Sequence, residues 1–160
     1  EFIEGREFTC LIAEDPDDPK NPITFKPVEF KFPEGESFKH YNMKWLDYNK
    51  MTVVPVTERR IEKTLRDYTL RVFQTLNGNG YARCDYRMDS SGTIYMLEIN
   101  PNCGIFYPPT DPGSADFCLL NDKINHRKFM KMIIRSALQR QAKNRLKMKA
   151  KVEEKEMAYA

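Results

Sequence analysis

Asp85, Glu98 and Asn100 are the side chains of this sequence best suited to chemistry. They lie in "YARCDYRMDSSGTIYMLEINPNCG", residues 81–104, where two strand-like runs flank a turn. In the first run, alternation puts Arg83, Asp85 and Arg87 on one face and Ala82, Cys84 and Tyr86 on the other. In the second, Ile94 to Asn100, Glu98 and Asn100 share a face. Closing the hairpin symmetrically about Ser90 and Ser91 predicts Arg83 opposite Glu98 and Asp85 opposite Met96. Asp85 and Glu98 then become diagonal neighbours, about 7–8 Å apart at the backbone. Two carboxylates and an amide oxygen converge, with no thiol or imidazole expected beside them. All-oxygen sets of this kind suit Mg²⁺ or Mn²⁺ rather than zinc.

A blander reading pairs Asp85 and Glu98 with Arg83 and Arg87 as wet cross-strand ion pairs, each contributing about 0–1 kcal/mol. Two features weigh against it. The apolar run Ile94 to Leu97 leads straight into Glu98, which predicts a buried strand, and two acids on a half-buried face repel unless a cation neutralises them. Pro101 also holds Asn100 extended, fixing its amide.

Other elements must hold this hairpin. "REFTCLIA" (Arg6 to Ala13) and "ITFKPVEFKF" (Ile23 to Phe32) are rich in β-branched and aromatic residues and predict strands. The proline-rich acidic "EDPDDPKNP" between them reads as a hairpin loop; it lacks the central glycine and closing glutamate of an EF-hand. "KHYNMKWLDYNKM" has no clean period and reads as irregular. A helix follows, with Thr57 as the expected N-cap and an apolar stripe of Ile61, Leu65, Tyr68, Val72, Phe73 and Leu76; "NGNG" should end it. A last helix carries Phe129, Met130, Ile133, Ile134, Ala137 and Leu138 as its apolar face, and beyond Gln139 lysines and arginines dominate until the acidic "EEKE".

Composition bounds the function classes. The 160 residues, 41% hydrophobic, suffice for one domain with a real core. No apolar run approaches the roughly 20 residues of a membrane span. A net charge of +3 does not by itself argue for a nucleic-acid partner. Cys10, Cys84, Cys103 and Cys118 lie far apart, which points to free thiols in a reducing cytoplasm. His40 and His126 are the only histidines and neither sits in a pairing motif, so no Ser/His/Asp or Cys/His nucleophile is expected. The chain starts without methionine, and we expect it to belong to a larger protein.

The hairpin "GYARCDYRMDSSGTIYMLEINPNCG" closely resembles the metal-binding hairpin of ATP-grasp ligases, in particular the D-alanine–D-alanine ligase-like branch. "EGREFT" is similar to the strand after that family's nucleotide hinge, and "NMKWLDY" to the lysine-bearing segment between them. The resemblance runs from about residue 1 to residue 138 and implies an α+β fold: the C-terminal subdomain of the ATP-grasp domain, a mainly antiparallel sheet packed by helices. It divides the chain into that lobe, 1–138, and a basic helical tail, 139–160.

The same resemblance implies roles. Asp85, Glu98 and Asn100 would hold Mg²⁺ against the ATP phosphates. Arg83 would face the phosphorylated intermediate, and Gly104 would offer it a backbone N–H. Glu7 would bind the ribose, the backbone of Glu1 to Ile3 the adenine edge, Leu97 the adenine ring and Lys44 the phosphates. A carboxylate and an amine would be joined through an acylphosphate, with ATP consumed. The partners would be small-molecule substrates and the rest of the parent protein.

Two departures qualify this. The family's serine-containing acceptor segment is replaced by "IFYPPTDPGSADF", with Tyr107, Pro108 and Pro109 in its place, so D-alanine should not be assumed. The glycine-rich phosphate loop is also missing, and an upstream lobe is expected to supply it. The competing function is a nucleotide-binding or interaction module without turnover, working through the basic tail. The intact set Arg83, Asp85, Glu98 and Asn100 favours the enzyme.

Overall fold

The computed structural model describes residues 1–38, 41 and 50–158. Its centre is one antiparallel sheet with the strand order β4-β3-β1-β5-β6, and β2 pairs with the far end of β1. The strands are β1 Arg6–Ala13, β2 Ile23–Thr24, β3 Val28–Lys31, β4 Thr52–Pro55, β5 Tyr81–Met88 and β6 Ile94–Pro101. Helices among the described residues include α1 Arg59–Thr75, α2 Ser114–Asn121 and α3 His126–Ala158. The expected α+β class is therefore observed. The segment read as irregular falls largely outside the described residues.

The sheet is covered on both faces, and alternation along β1 and β5 sorts the layers. Phe8, Cys10, Cys84 and Tyr86 turn to α1, where Leu65, Ile61 and Val72 meet them. Thr69 and the Tyr86 hydroxyl share a hydrogen bond of 2.7 Å inside that layer. On the opposite face Leu11, Ala13, Phe25 and Val28 pack with Ala115, Cys118 and Leu119 of α2 and Phe129 of α3.

Several expectations change. The stretch 23–32 is two strands, because Pro27 offers no N–H to a ladder and Lys26 donates its own to Asp122 instead. Residue Glu58, not Thr57, is the N-cap of α1, and no side chain caps it. At the other end Asn77 takes the left-handed conformation (φ 51°) and the Gly78 N–H closes back on the Phe73 carbonyl, as "NGNG" predicted. Tyr68 and Leu76 are exposed, and Thr69 is buried in the stripe instead. On α3 the packing face is Phe129, Met132, Ile133 and Ser136, whereas Met130, Ile134 and Leu138 face outward. All four cysteines are buried free thiols.

Candidate active site

The hairpin β5–β6 closes over a five-residue connection. Asp89 organises it: its Oδ1 accepts from the Ser91 and Thr93 amides, and Gly92 supplies a positive φ of 84°. Tyr86 pairs with Met96 and Arg87 with Tyr95, but Asp85 pairs with Glu98. Leu97 is therefore an extra residue, a β-bulge on β6. A one-residue offset inverts which face each side chain takes. It lets Ile94 and Ile99, five residues apart, both pack toward α1, while Glu98 and Asn100 swing to the face of Asp85 and Arg83.

This corrects the expected register. Arg83 lies opposite Asn100 rather than Glu98, and Asp85 and Glu98 are direct partners rather than diagonal ones. The three oxygen-bearing side chains do share one face. Strand β6 itself is not buried as its apolar run suggested: it is the sheet's edge, with Tyr95 and Met96 exposed and Leu97 50% exposed.

Asp85 is the hub. Thr9 Oγ1 donates to its Oδ1 at 2.5 Å, and Arg83 Nη2 donates to its Oδ2 at 2.8 Å. Asn100 Nδ2 lies 3.2 Å from Asp85 Oδ2 and 2.9 Å from Glu98 Oε1. One amide nitrogen thus stands between two carboxylates, at the place where positive charge is most stabilised. Burial by itself would lower the basicity of Arg83; the adjacent Asp85 outweighs it and holds the guanidinium charged.

The donor set fits a hard cation. Among the described residues no three His, Cys, Asp or Glu side chains cluster as metal ligands; beside the two acids Asn100 would be the third donor. A half-turn of its amide exchanges Nδ2 for Oδ1 and completes an all-oxygen set. A thiol does lie nearby, contrary to expectation: Cys103 feels the charges of Arg83 and Asp85. Burial pushes that thiol up to about 11, which keeps it protonated at neutral pH.

The remaining predicted residues fall into two groups. Glu7 sits on the same face, two residues along β1 from Thr9, and accepts from Arg87 Nη1 at 3.0 Å in a buried ion pair. The carbonyl of Ile3 accepts from Arg87 Nε, and Glu1 is exposed at the chain start. These residues gather beyond the acidic pair, together with Phe2, whose ring lies 4.8 Å from the Arg87 guanidinium carbon. Gly104 follows β6 in the next loop, apart from this group. Lys44 lies outside the described residues. Thr9 and Arg87 were not singled out from sequence as site residues. The signal for Arg87 was its parity with Asp85 along one strand; Thr9 shares parity only with Glu7, and the pairing of β1 with β5 brings it to Asp85.

Comparison with known proteins decides the family. The family model "D-ala D-ala ligase C-terminus" matches residues 1–108. The chain belongs to that family. A D-alanine--D-alanine ligase of Halothermothrix orenii is 31% identical over 103 residues, covering 62% of this chain and 28% of the relative. D-alanine--D-alanine ligase B of Clostridium perfringens is 28% identical over 142 residues, 89% of this chain and 43% of the relative. The chain therefore spans less than half the length of these relatives.

Solved structures agree on the fold. The Coxiella burnetii D-alanine-D-alanine ligase superposes with a TM-score of 0.69 at 18% identity, over 97% of this chain and 38% of that one. The Bacillus anthracis ligase, solved with ATP, gives 0.65 at 17% identity over 89% of this chain and 41% of that one. The architecture is that of the ATP-grasp C-terminal subdomain.

Proposed function

We propose that this chain supplies the metal- and phosphate-facing part of an ATP-dependent ligase that joins a carboxylate to an amine. One observation carries the reading: Asp85 and Glu98 face each other across two paired strands, with Asn100 between them and Arg83 alongside. Two acids directly opposite one another repel, and a bound cation would relieve that repulsion. Residues 1–138 would be the lobe and 139–160 a basic helical extension. The rest of the length seen in the relatives would contribute the glycine-rich phosphate loop.

In this reading Asp85, Glu98 and Asn100 hold Mg²⁺ or Mn²⁺. When bound, the ion would neutralise phosphate oxygens as charge builds on them. Arg83, fixed by Asp85, presents a permanent positive charge to the phosphoryl group and then to the acylphosphate. The substrate carboxylate attacks the γ-phosphate, ADP leaves, and the amine attacks the acyl carbon with release of phosphate. No side chain acts as a covalent nucleophile, so the residues contribute positioning and electrostatics. Gly104 would offer an N–H to the tetrahedral intermediate. Glu7, Glu1 to Ile3, Leu97 and Lys44 would bind the nucleotide, and the half-exposed Leu97 suits a flat apolar partner.

The relatives are named as D-alanine ligases, and D-alanine is the first substrate to try. Tyr107, Pro108 and Pro109 in the acceptor segment make a different amine a real option. Among the described residues no helix is long and apolar enough to cross a membrane, in keeping with the cytoplasmic setting that small-molecule ligation with ATP would need. A module without turnover has less in its favour, because the ligand set is complete. The test is Glu98→Gln in the whole protein. Mg²⁺-dependent ATP consumption with D-alanine and other D- and L-amino acids should vanish while the fold is retained. Unchanged consumption would overturn the assignment.

A further inference from the structure

The loop between β6 and α2, residues 102–113, follows the metal strand and closes on itself around one side chain. A Cβ built on Gly104 would lie 2.9 Å from the Tyr107 hydroxyl, and one on Gly113 would lie 2.9 Å from the Tyr107 ring. The phenol is thus wedged between two glycines nine residues apart, and neither glycine can accept a side chain while it stays there. Phe106, next to it, is in the left-handed region at φ 71°, a conformation that a bulky residue adopts only when its surroundings impose it.

What imposes it is Asp116. This side chain is fully buried, yet it is a carboxylate. Its Oδ1 accepts from the Phe106 N–H at 2.9 Å and its Oδ2 from the Gly113 N–H at 3.0 Å, so one carboxylate ties the middle of the loop to its end. The Gly113 bond is the N3-to-N-cap contact at the start of α2, which Gly113, lacking a side chain, does not return. The Phe106 bond spans ten residues and has no role in capping. His126, at the start of α3, brings Nε2 to 2.7 Å from the same Oδ1, and its ring meets Phe106 edge to face at 5.4 Å. Helix α2 is itself packed on the sheet through Ala115, Cys118 and Leu119, so the anchor is rigid. Cys103 is buried and close enough to Arg83, Asp85 and Asp116 for the charges of all three to act on its thiol.

We infer that Asp116 is the positioning residue of the acceptor side of the site: it holds the loop shut around Tyr107 and so sets where Gly104 and the tyrosine hydroxyl stand. A buried acid tying two non-adjacent backbone amides is a costly way to stabilise a surface loop unless the loop's conformation matters. The functional half of this inference rests on the ligase reading above; the anchoring half does not.

Two measurements test it. In amide hydrogen exchange, Asp116→Asn should speed exchange at Phe106 by about tenfold or more while β5 and β6 keep their protection. Unchanged Phe106 protection, or equal loss everywhere, overturns the anchor. In the whole protein, D-alanine serves as the probe for acid and amine, and hydroxylamine as a small trap for the acylphosphate. Asp116→Asn should lower amine use relative to hydroxamate formation by about tenfold, chiefly through the KM for the amine. Parallel loss of both rates overturns the positioning role. Should Asp116→Asn fail to fold, Tyr107→Ala should give the same change in ratio, and an unchanged ratio there counts against the proposal. If the unsubstituted protein forms no Mg²⁺-dependent hydroxamate, the ligase reading fails and takes the acceptor half with it, while exchange still decides the anchor.

Discussion

Two carboxylate–arginine networks lie on opposite faces of the same sheet, and they differ in how their charge is balanced. On the α1 face Glu29 is almost fully buried and is met by two cations, Arg6 through both Nε and Nη2 at 2.7 Å and Lys31 at 2.6 Å; Arg6 also reaches Glu58, beside the first turn of α1. On the other face Arg83 pairs with Asp85, and Asn100 Nδ2 lies within reach of both Asp85 and Glu98. The first network pins a helix to a strand. The second sets two acids directly opposite one another on one face, an arrangement that a bound cation would relieve.

The sharpest way to break this contrast is to neutralise one acid in each network. Glu98→Gln should lower Mg²⁺-dependent ATP consumption by about 10³-fold or more, the scale on which a single transition-state electrostatic contact matters. Its stability should not fall. Relief of like charges directly opposite one another should raise it by about 0.5 kcal/mol, read as a small rise in Tm. A loss of stability of the size found for a buried pair would place Glu98 in a structural network after all.

Glu29→Gln should do the reverse. Breaking a fully buried pair costs about 3–5 kcal/mol, and since Arg6 is 31% exposed we expect about 2 kcal/mol, with ATP consumption unchanged. Acid should narrow the gap. Burial alone would raise the Glu29 carboxyl, but Arg6 and Lys31 hold it below its ordinary 4.5. Its contribution is therefore complete above that pH and is lost as pH falls through the depressed value. The denaturation midpoints of the two proteins should converge as pH falls below 4.5 and through that depressed value. Midpoints that stay apart there would mean that Glu29 stabilises by packing.

A smaller effect is expected at Thr9. Thr9→Val removes the hydroxyl donor to Asp85 and should cost about 1 kcal/mol in stability, with a weaker Mg²⁺ dependence of turnover. An unaltered Mg²⁺ titration would separate Thr9 from the site. The smallest effect concerns Cys103. With its thiol near 11, iodoacetamide at pH 7.5 should leave turnover unchanged, and rapid inactivation traced to Cys103 would contradict its burial.

Much of this was legible before any coordinates. Strand β1 spans Arg6–Ala13 as its β-branched and aromatic content implied, and β5 and β6 flank the turn where Gly92 and the serines indicated. Elements too short to show a period were not visible: β4 has four residues and lies at the sheet's edge. Helix α2, "SADFCLLN", buries Ala115, Asp116, Cys118 and Leu119 and presents no polar face for a pattern to reveal.

The residue types and their order determined that Arg83 and Asp85 share one face of β5 and that Glu98 and Asn100 share one face of β6, because strand parity is a local property. Only the tertiary structure decided how they meet. The bulge at Leu97 exists because Ile94 and Ile99, an odd number of residues apart, must both reach the core beneath α1, and that demand comes from packing rather than from the hairpin itself. Long-range contacts likewise decided that Glu7 answers to Arg87 and Asp85 to Thr9, and that the loop after β6 is tied at Phe106 by an acid ten residues further along. A sequence records which groups are available; the pairing of groups distant along the chain is set by the shared interior they must fill.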